Sequence, residues 1–408
     1  MENTIVGIDV GTTKVCTLVA EVDDEERLHV VGVGVVPARG LRKGVIVNIN
    51  EAMASVAESI DIAERISGYQ IERACVGVSG GHMASVNSRG VVAIGRGNSG
   101  VTFDDIERAL DAAGAVAIPH NRQVIHVIPR GYIVDGQNGI RDPVGMHGFR
   151  LEVEAHIITG SATALQNLVK CVENLGVSVE DMALDPLASG HAVLTETEQE
   201  MGVVLADIGG GTTDIAIFID GTVWHTVVLD VGWNHLTNDL AIGLRLPFES
   251  AEEVKLKHGQ ALPTNVRAEE NFTVTSFGGE ARQQVFRREV ANILEARVEE
   301  VFNLILREIK RSGYDGLLPA GVVLCGGSAQ LPGMLDLGKK VLGMPLRIGQ
   351  PHNLLGLVDQ LASPAFATSA GLLQWGLSAS LSPTMQRRRS KAGISRWIGR
   401  WLRNFLPG

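Results

Sequence analysis

Residues 203–218 of the chain are VVLADIGGGTTDIAIF, and they repeat a pattern seen near the start, where residues 4–22 are TIVGIDVGTTKVCTLVAEV. In each copy an apolar run ends at an aspartate, a turn of glycine and threonine follows, and a second apolar run comes after the turn. Apolar runs joined by such turns are typical of antiparallel strands. Two copies about two hundred residues apart predict a molecule built from two related halves.

The two glycine and threonine turns have the composition of a phosphate-binding site. Glycines let the backbone approach a ligand closely, and successive N–H groups with threonine hydroxyls can surround a phosphate oxygen. Asp9 and Asp207 end the two entering strands and would face one ligand between the halves. Carboxylates beside phosphates need a divalent cation between them, most simply hydrated Mg²⁺. The alternative is a pair of ordinary hairpins whose aspartates cap the turns, and the presence of two related copies argues against it.

A third glycine turn, residues 326–328, follows the apolar run VVLC and precedes LPGM, where a strand is expected to give way to a helix. An adenine or ribose could lie on such exposed backbone, although loop geometry also explains a Gly-Gly-Ser turn. Together, residues 9–15, 207–214 and 326–328 resemble, in order and spacing, the two phosphate motifs and the adenosine motif of the superfamily of actin, heat-shock chaperones and sugar kinases. Residues 184–190 and 367–371 resemble its two connecting helices.

The resemblance implies a role for each of these residues. Asp9 and Asp207 would hold Mg²⁺ through water, and Asp185 would orient the attacking water, so these three are the candidate catalytic residues. Asp185 is shorter than the glutamate often found at its position, which predicts at most a slow ATPase in which ATP acts mainly as a conformational ligand. The candidate ATP-binding residues are Gly11, Thr12, Thr13, Lys14, Gly209, Gly210, Gly211, Thr212, Thr213, Glu252, Lys255, Gly326, Gly327 and Ser328. For Glu252 and Lys255 the alternative is a solvated ion pair on a helix.

Residues 83–162 interrupt the first half with short strands around one helix, whose predicted N-cap is Thr102 with Asp105 three residues later. This α+β module resembles the extra subdomain of the bacterial FtsA family of cell-division proteins. Residues 231–241 resemble a second-half signature of that family, but Trp233 replaces the small residue expected there, which argues against a phosphate contact at that position. The resemblance implies an α/β, actin-like duplicated ATPase-domain fold with an inserted subdomain and a C-terminal amphipathic helix.

The landmarks also predict how the chain is divided. The expected units are the first half at 1–82, with 163–195 and part of 366–380; the protein-interaction insert at 83–162; the core of the second half at 196–232, with 306–365; its smaller subdomain at 233–305; a flexible linker at 381–393; and the amphipathic helix at 394–406.

The cysteines and the apolar content indicate a folded protein of a reducing compartment. Cys16, Cys75, Cys171 and Cys325 lie far apart in apolar stretches, which predicts buried thiols and not a metal site. The first residues lack the basic and apolar regions of a signal peptide, and no run of about 20 apolar residues predicts a membrane span. Hydrophobic residues at 45% and charged residues at 20% exclude disorder for the bulk of the chain.

The charge of the chain is divided unevenly along its length. The net charge of −10 argues against a general nucleic-acid binder. The first 359 residues hold all 46 acidic residues and 29 of the 36 basic ones, a net charge of −17, whereas the residues after Asp359 carry +7. An acidic body with a basic tail is therefore predicted.

The basic tail has the pattern of a helix that lies on a membrane. Its apolar residues recur at helical spacing on one stripe, and basic residues lie off that stripe. A helix of about 13 residues is about 20 Å long, too short for the hydrocarbon core of about 30 Å, so it would lie in the interface. The apolar residues are Ile394, Trp397, Ile398, Trp401, Leu402, Phe405 and Leu406, and the basic ones are Arg396, Arg400 and Arg403. The alternatives are a final helix packed on the protein body and a calmodulin-type or nucleic-acid-binding tail.

The FtsA resemblance implies a cell-division protein at the cytoplasmic face of the cell membrane, at the division site. Such a protein would bind ATP and Mg²⁺, polymerise, bind the C-terminal tail of the tubulin-like protein FtsZ, anchor the FtsZ ring to anionic lipids, and bind other division proteins through 83–162. The FtsZ tail would dock on 233–305, where Arg297 could meet an acidic peptide or could simply belong to a solvated helix face. Two rival functions are a pilus-assembly relative with the same insert and, less favoured, a sugar-type kinase, for which a membrane tail has no use.

Removal of residues 390–408 should abolish binding of the purified protein to anionic lipid vesicles, because the whole apolar stripe and four of the seven basic residues of the tail are lost. Sedimentation with vesicles measures the bound fraction. A truncated protein that still pellets with anionic vesicles would contradict the assignment of the tail as the membrane anchor.

Overall fold

The computed structural model describes residues 4–95, 100–115, 118–275 and 282–381. The predicted amphipathic helix at 394–406 and almost all of the predicted linker at 381–393 lie outside the described residues. Across the described ranges, no helix combines the length and the apolar character needed to cross a bilayer.

The strands of the described residues form three main sheets and two short hairpins. In chain order the strands are β1 (Thr4–Val10), β2 (Lys14–Val22), β3 (Leu28–Pro37), β4 (Leu41–Arg42), β5 (Val45–Ile46), β6 (Arg73–Val78), β7 (Ala84–Ala93), β8 (Arg122–Val134), β9 (Gln137–Ile140), β10 (Arg150–Ser161), β11 (Ser178–Leu184), β12 (Val203–Ile208), β13 (Thr213–Ile219), β14 (Thr222–Leu229), β15 (Asn271–Thr275), β16 (Arg282–Phe286), β17 (Val322–Cys325), β18 (Leu346–Ile348) and β19 (Leu354–Gly356).

The α-helices cover or connect these sheets. In chain order they are α1 (Ile49–Ser67), α2 (Phe103–Gly114), α3 (Ala162–Glu173), α4 (Asp185–Val193), α5 (Glu196–Met201), α6 (Trp233–Leu244), α7 (Phe248–His258), α8 (Arg287–Ser312), α9 (Met334–Leu342) and α10 (Ala367–Leu381), with 3₁₀ turns at Pro263–Asn265, Asp315–Leu317, Gly327–Gln330 and Pro364–Phe366.

The first half is built on a six-stranded sheet with the strand order β11-β6-β1-β2-β3-β19. Strands β1, β2 and β3 are consecutive and antiparallel, as the opening apolar runs predicted, and β6 adds to β1 in parallel. Helix α1 begins at its N-cap Asn48 and ends at Gly68, whose φ of 74° is the left-handed conformation that favours glycine. The apolar face of α1 packs against this sheet.

The second half repeats this arrangement in a five-stranded sheet with the order β14-β13-β12-β17-β18. Strands β12, β13 and β14 form an antiparallel series like β1, β2 and β3, and β17 lies parallel to β12 as β6 lies parallel to β1. The halves are therefore related copies, as the repeated turn predicted. Helices α6, α7 and α8, with the hairpin β15-β16, enclose a further part of the same apolar core.

The residues inserted into the first half form a separate four-stranded sheet with the order β7-β10-β8-β9. Helix α2 covers one face through an apolar cluster, and the predicted capping box is present: Asp105 N donates to Thr102 Oγ1 at 3.3 Å, and Thr102 N donates to Asp105 Oδ2 at 2.9 Å. The sheet also contacts the edge strand β14 of the second half, where Ser85 Oγ donates to Thr226 O at 2.8 Å and His156 Nε2 lies 3.0 Å from Thr226 Oγ1.

The helices α4 and α10 cross between the two sheets, and this crossing creates the site. Helix α4 follows β11 of the first sheet but packs in the apolar cluster of β12 and β13, whereas α10 follows β19, also a strand of the first sheet, and packs against β1 and β2. The two helices cross so closely that a Cβ on Gly371 would lie 1.8 Å from Ala188 O. Their first turns therefore meet between the two sheets. The four cysteines are buried, as predicted.

Candidate functional site

The two glycine and threonine turns have matching backbone geometry. Gly11 N donates to Lys14 O at 3.0 Å in the first turn, and Gly209 N donates to Thr212 O at 2.9 Å in the second. In each case the turn reverses the chain between two buried antiparallel strands. The two copies of the motif therefore form the same turn, at corresponding strand ends of the two sheets.

The two turns lie against each other across the boundary between the halves. A Cβ on Gly210 would lie 2.2 Å from Thr13 Cγ2, and a Cβ on Gly211 would lie 2.7 Å from Thr12 Oγ1. Any larger residue at either position would push the turns apart. The candidate phosphate-binding residues of the first and second copies of the motif are thus brought together.

Asp9 and Asp207 are buried at 6% and 7% exposure, and each accepts hydrogen bonds from a connecting helix. Ser369 Oγ donates to Asp9 Oδ2 at 2.7 Å. Asp207 Oδ2 accepts from Ser189 Oγ at 2.6 Å and from Thr368 Oγ1 at 3.1 Å. Burial raises the pKa of Asp207, and the negative charge of Asp9 adds to that rise while the two hydroxyl donors oppose it. The two carboxylates are thus close enough to repel each other.

Asp185, the first residue of α4, joins the same group of acids. Its Oδ1 is buried and accepts no hydrogen bond from the described residues, and a Cβ on Gly77 would lie 2.7 Å from that oxygen. Burial raises the pKa of Asp185 well above its ordinary value, and the charges of Asp9, Asp214 and Asp207 raise it further. Both effects favour the protonated carboxyl.

Lys14 supplies a positive charge beside these acids. Its Nζ lies 3.6 Å from Asp9 Oδ2 and 4.4 Å from the centre of the Phe366 ring. The ammonium is buried, and no hydrogen-bond acceptor for it is found within the described ranges. A buried ammonium without acceptors is stabilised by an anion. Its position beside the two facing turns therefore fits a phosphate group.

Asp214 and Ser79 complete the cluster, and sequence reasoning assigned neither to the site. Ser79 Oγ, just after β6 of the first half, donates to Asp214 Oδ1 at 2.5 Å, and Thr212 Oγ1 donates to Asp214 Oδ2 at 2.9 Å. Burial raises the pKa of Asp214 to about 7, although the Ser79 hydroxyl opposes the rise. Asp214 lies within the repeated motif and could have been noticed there. Ser79 belongs to no motif, so no sequence signal marked it.

The serine and threonine donors to Asp9 and Asp207 were also missed. Ser189, Thr368 and Ser369 lie in the segments that resemble the connecting helices, and Ser189 and Ser369 are fully buried. The available signal was a small hydroxyl residue on an otherwise apolar buried helix. Which carboxylate each hydroxyl meets follows from how α4 and α10 cross between the sheets, which the sequence does not reveal.

The third glycine turn lies against the second phosphate turn. Gly326 has a φ of 81°, and a Cβ there would lie 2.5 Å from Asp207 Oδ1. Ser328 Oγ donates weakly to Gly209 O at 3.5 Å. Gly327 begins a short 3₁₀ turn, and the α-helix expected after the strand starts later, at Met334.

Lys255 of the Glu252–Lys255 pair is buried, so the alternative of a solvated ion pair does not hold for the lysine. Lys255 is 2% exposed, and its Nζ donates to Glu252 Oε2 at 2.6 Å and to Thr237 Oγ1 at 2.7 Å. Burial lowers the pKa of Lys255 to about 8, with the Glu252 carboxylate opposing the shift. The Glu252 side chain stays about one-third exposed, which leaves it able to meet a ligand.

Trp233 begins helix α6 directly on the second phosphate turn. Its backbone N donates to Gly209 O at 2.9 Å, and Asn234 N donates to Gly210 O at 2.9 Å. The indole ring packs under Lys255 Nζ, 4.8 Å from the ring centre. The N-terminal turn of α6 thus braces the phosphate turn through its backbone.

Arg297 lies on α8 in a surface pocket of about 300 Å³ lined by Asp239, Ile293, Ala296, Arg297 and Glu300. Its guanidinium forms a two-bond pair with Asp239, at 2.6 and 2.9 Å, and Nη1 donates to Glu300 Oε2 at 2.6 Å. The carboxylate of Asp239 raises the pKa of Arg297 further. The positive charge of Arg297 is thus already neutralised by two acids of this chain.

The acids of the cleft can take part in a metal site through water. No group of three or more histidine, cysteine, aspartate or glutamate side chains in the part of the chain that the structure describes is arranged to ligate a metal directly. Asp9 and Asp207 lie near the ends of β1 and β12, beside the facing turns. Their carboxylates are suited to hold Mg²⁺ through its water ligands.

Two family models match the chain. The model described as "Cell division protein FtsA" matches residues 204–371, and the model described as "SHS2 domain inserted in FTSA" matches residues 80–159. Among curated proteins, the cell division protein FtsA of Pseudomonas aeruginosa is 45% identical over 410 residues, which is 98% of each chain. FtsA of Neisseria meningitidis is 38% identical over 97% of each chain, and FtsA of Bacillus subtilis is 41% identical over 91% of this chain and 82% of its own.

Solved structures confirm the predicted actin-like fold. A structure titled "PilM-PilN type IV pilus biogenesis complex" superposes with a TM-score of 0.68 at 16% identity, covering 91% of this chain and 98% of its own. MreB5 of Spiroplasma citri, bound to ADP, superposes with a TM-score of 0.56 at 15% identity, covering 96% of this chain and 99% of its own. At these identities the likeness concerns the fold alone.

Asp185→Asn should stabilise the protein at neutral pH. The pKa of Asp185 is raised in the folded state. Between the ordinary and the raised pKa the unfolded chain binds fewer protons than the folded chain, so the free energy of unfolding falls as the pH rises through this range. The amide cannot lose this proton, so its free energy of unfolding at pH 7 should exceed that of the wild type by about 1 kcal/mol or more. Urea unfolding without Mg²⁺ or nucleotide measures the difference.

Asp24→Asn, at an exposed acid, is the matched control and should leave the free energy of unfolding unchanged at both pH 5 and pH 7, to within about 0.5 kcal/mol. If Asp185→Asn instead destabilises the protein at pH 7, the folded protein holds an ionised Asp185.

Proposed function

Because the chain belongs to the FtsA family of cell-division proteins, we propose that it binds Mg²⁺-ATP between its two halves and polymerises. It acts at the division site on the cytoplasmic face of the cell membrane, where it binds FtsZ and anchors the FtsZ ring. The membrane contact is made by the C-terminal helix at 394–406. The insert at 83–162 receives other division proteins.

The observation that supports nucleotide binding is the buried Lys14 ammonium beside two facing glycine turns. Residues 11–14 would contact the phosphates from the first half and residues 209–213 from the second. Lys14 would donate to a phosphate oxygen, which supplies the acceptors that its Nζ lacks within the described residues. A structural neighbour is described as bound to ADP and another MreB5 structure as bound to AMPPNP, which supports a nucleotide in this fold.

The acids of the cleft have separate parts in this proposal. Asp9 and Asp207 would hold Mg²⁺ through its water ligands, and the metal when bound would neutralise phosphate charge. Asp185 would orient a water molecule. With its carboxyl biased towards the protonated form, Asp185 takes up a proton from water poorly, so ATP hydrolysis is slow at most.

The adenosine would lie between the third glycine turn and the smaller subdomain of the second half. Gly326, Gly327 and Ser328 present backbone beside the second phosphate turn. Glu252 would accept from the ribose hydroxyls, and Lys255 would hold the carboxylate of Glu252 in place. The pilus-assembly alternative is supported by the fold alone. The kinase alternative is supported only by the residues assigned to ATP, and no other residue of the described site favours it.

Electron microscopy on a lipid monolayer tests the nucleotide, polymer and membrane proposals together. The full chain with Mg²⁺-ATP on anionic lipid should form filaments that lie on the lipid. Lys14→Ala should lose them, because the phosphate loses its ammonium partner, whereas Lys340→Ala at an exposed position of α9 should retain them.

The controls separate the parts of the proposal. The chain without residues 390–408 should form filaments in solution and none on lipid. An absence of filaments in every condition would contradict polymerisation. Filaments that form equally well in EDTA without nucleotide would contradict a role for Mg²⁺-ATP.

The FtsZ-tail proposal predicts that Arg297→Glu weakens binding of an acidic FtsZ tail peptide by about tenfold or more. The reason is that a third acid beside Asp239 and Glu300 repels the peptide. Fluorescence anisotropy with a labelled peptide gives the affinity. Arg297→Gln removes the charge without adding one and should have a smaller effect in the same direction. Arg307→Glu, at an exposed position of the same helix, is the matched control, and an equal loss in that variant would place the peptide elsewhere.

A further inference from the structure

We propose that Ser189, Thr368 and Ser369 are positioning residues that orient Asp9 and Asp207 for Mg²⁺. Each hydroxyl comes from one of the two connecting helices and donates to a buried carboxylate on β1 or β12. This inference rests on the proposed binding of Mg²⁺-ATP and assigns to three residues outside the phosphate motifs a role in metal affinity.

Each connecting helix supports the carboxylate of one sheet. Ser189, on α4, donates to Asp207 of the second sheet at 2.6 Å. Ser369, on α10, donates to Asp9 of the first sheet at 2.7 Å. The two aspartates of the repeated motif are therefore both held by hydroxyls from the crossing helices.

Thr368 links the two helices at the second carboxylate. Its Oγ1 donates to Asp207 Oδ2 at 3.1 Å and lies 3.0 Å from Ser189 Oγ, so one carboxylate oxygen is held by both α4 and α10. A carboxylate oxygen that accepts two hydroxyl donors is restricted in rotation, and its other oxygen is directed by the same contacts. Thr368 is half-buried, which makes it accessible to a conservative exchange.

The helix crossing fixes where these hydroxyls lie. Ser189 directly follows Ala188, and its 0% exposure leaves it no alternative partner in water. A Cβ on Gly371 would lie 1.8 Å from Ala188 O, so α4 and α10 are in backbone contact within one turn of all three hydroxyls. The two helices cannot slide at this point without moving the hydroxyls, and the carboxylates are therefore oriented by a rigid crossing.

The hydroxyls also make the burial of two neighbouring carboxylates tolerable. Asp9 and Asp207 are both nearly inaccessible to water, and each ionised carboxylate needs donors to replace hydration. The hydroxyls supply donors without adding positive charge. A lysine or arginine in their place would compete with Mg²⁺ for the carboxylates, whereas a serine leaves their negative charge available to the metal.

Calorimetric titration of the full chain with ATP, at stepped Mg²⁺ concentrations and in EDTA, tests the inference. Ser189→Ala, Ser369→Ala and Thr368→Val should each raise the Mg²⁺ concentration that half-saturates tight ATP binding by about tenfold or more, as for other residues that orient metal-binding carboxylates. The ATP affinity measured in EDTA should change by less than about twofold, because the phosphate turns are intact.

Two matched variants separate positioning from packing. Thr368→Ser keeps the hydroxyl and loses the methyl group, so it should keep the half-saturating Mg²⁺ concentration of the wild type, which Thr368→Val raises. Ser59→Ala removes a buried hydroxyl that donates to Gly34 O on the far side of β2 and should leave the Mg²⁺ dependence unchanged. If a buried serine variant does not fold, the comparison of Thr368→Val with Thr368→Ser, at a half-buried position, still tests the positioning role.

The outcomes distinguish this inference from the proposed function. If the wild type requires Mg²⁺ for tight ATP binding and the three variants match it, the positioning role is wrong and the proposed function stands. Equal losses of affinity with Mg²⁺ and in EDTA would show a purely structural role and overturn the inference. If the wild type binds ATP independently of Mg²⁺, the magnesium part of the proposed function fails and the inference falls with it.

Discussion

The structure depends on the burial of several aspartates at the contact between two sheets. Asp9, Asp207 and Asp214 are each less than 10% exposed, and Asp185 has a buried carboxyl oxygen beside them. Like charges in a region without water repel each other strongly, so such a cluster persists only with donors or a cation close by. The connecting helices, which join the two halves, provide hydroxyl donors, and Lys14 provides a cation beside Asp9. The burial of the acidic cluster therefore depends on the same helices that join the two halves.

The small residues near the site follow from the same requirement. Gly210 and Gly211 let the phosphate turns touch, Gly326 lets the third turn approach Asp207, and Gly371 lets α4 and α10 cross in backbone contact. Each glycine allows a close approach between segments of the site that a side chain at that position would prevent. This explains why these four positions of the site hold glycine.

The sequence predicted the repeated halves because both copies of the turn carry the same residues in the same order between apolar runs. It also predicted the opening three strands, the capping box of α2 and the buried thiols, all of which depend on local patterns. It could not predict which hydroxyl meets which aspartate, because Ser189 and Asp207 meet only through the packing of α4 against the second sheet. Ser79 was missed for a similar reason: its partner Asp214 lies in the other half, 135 residues away. The burial of Lys255 was left open because the spacing of a charged pair on a helix does not show which face is covered.

The insert is bound to both halves, and this has a mechanical consequence. Its chain enters and leaves through the first half, yet its sheet is hydrogen-bonded to β14 of the second through Thr226, and Arg130 lies over the Trp224 ring at 4.1 Å. Strand β14 is also paired with β13, which begins at the second phosphate turn. A rotation that separates the two phosphate turns must therefore either break the contacts of the insert with β14 or carry the insert along. The contacts of the insert with β14 therefore couple the insert to the second phosphate turn.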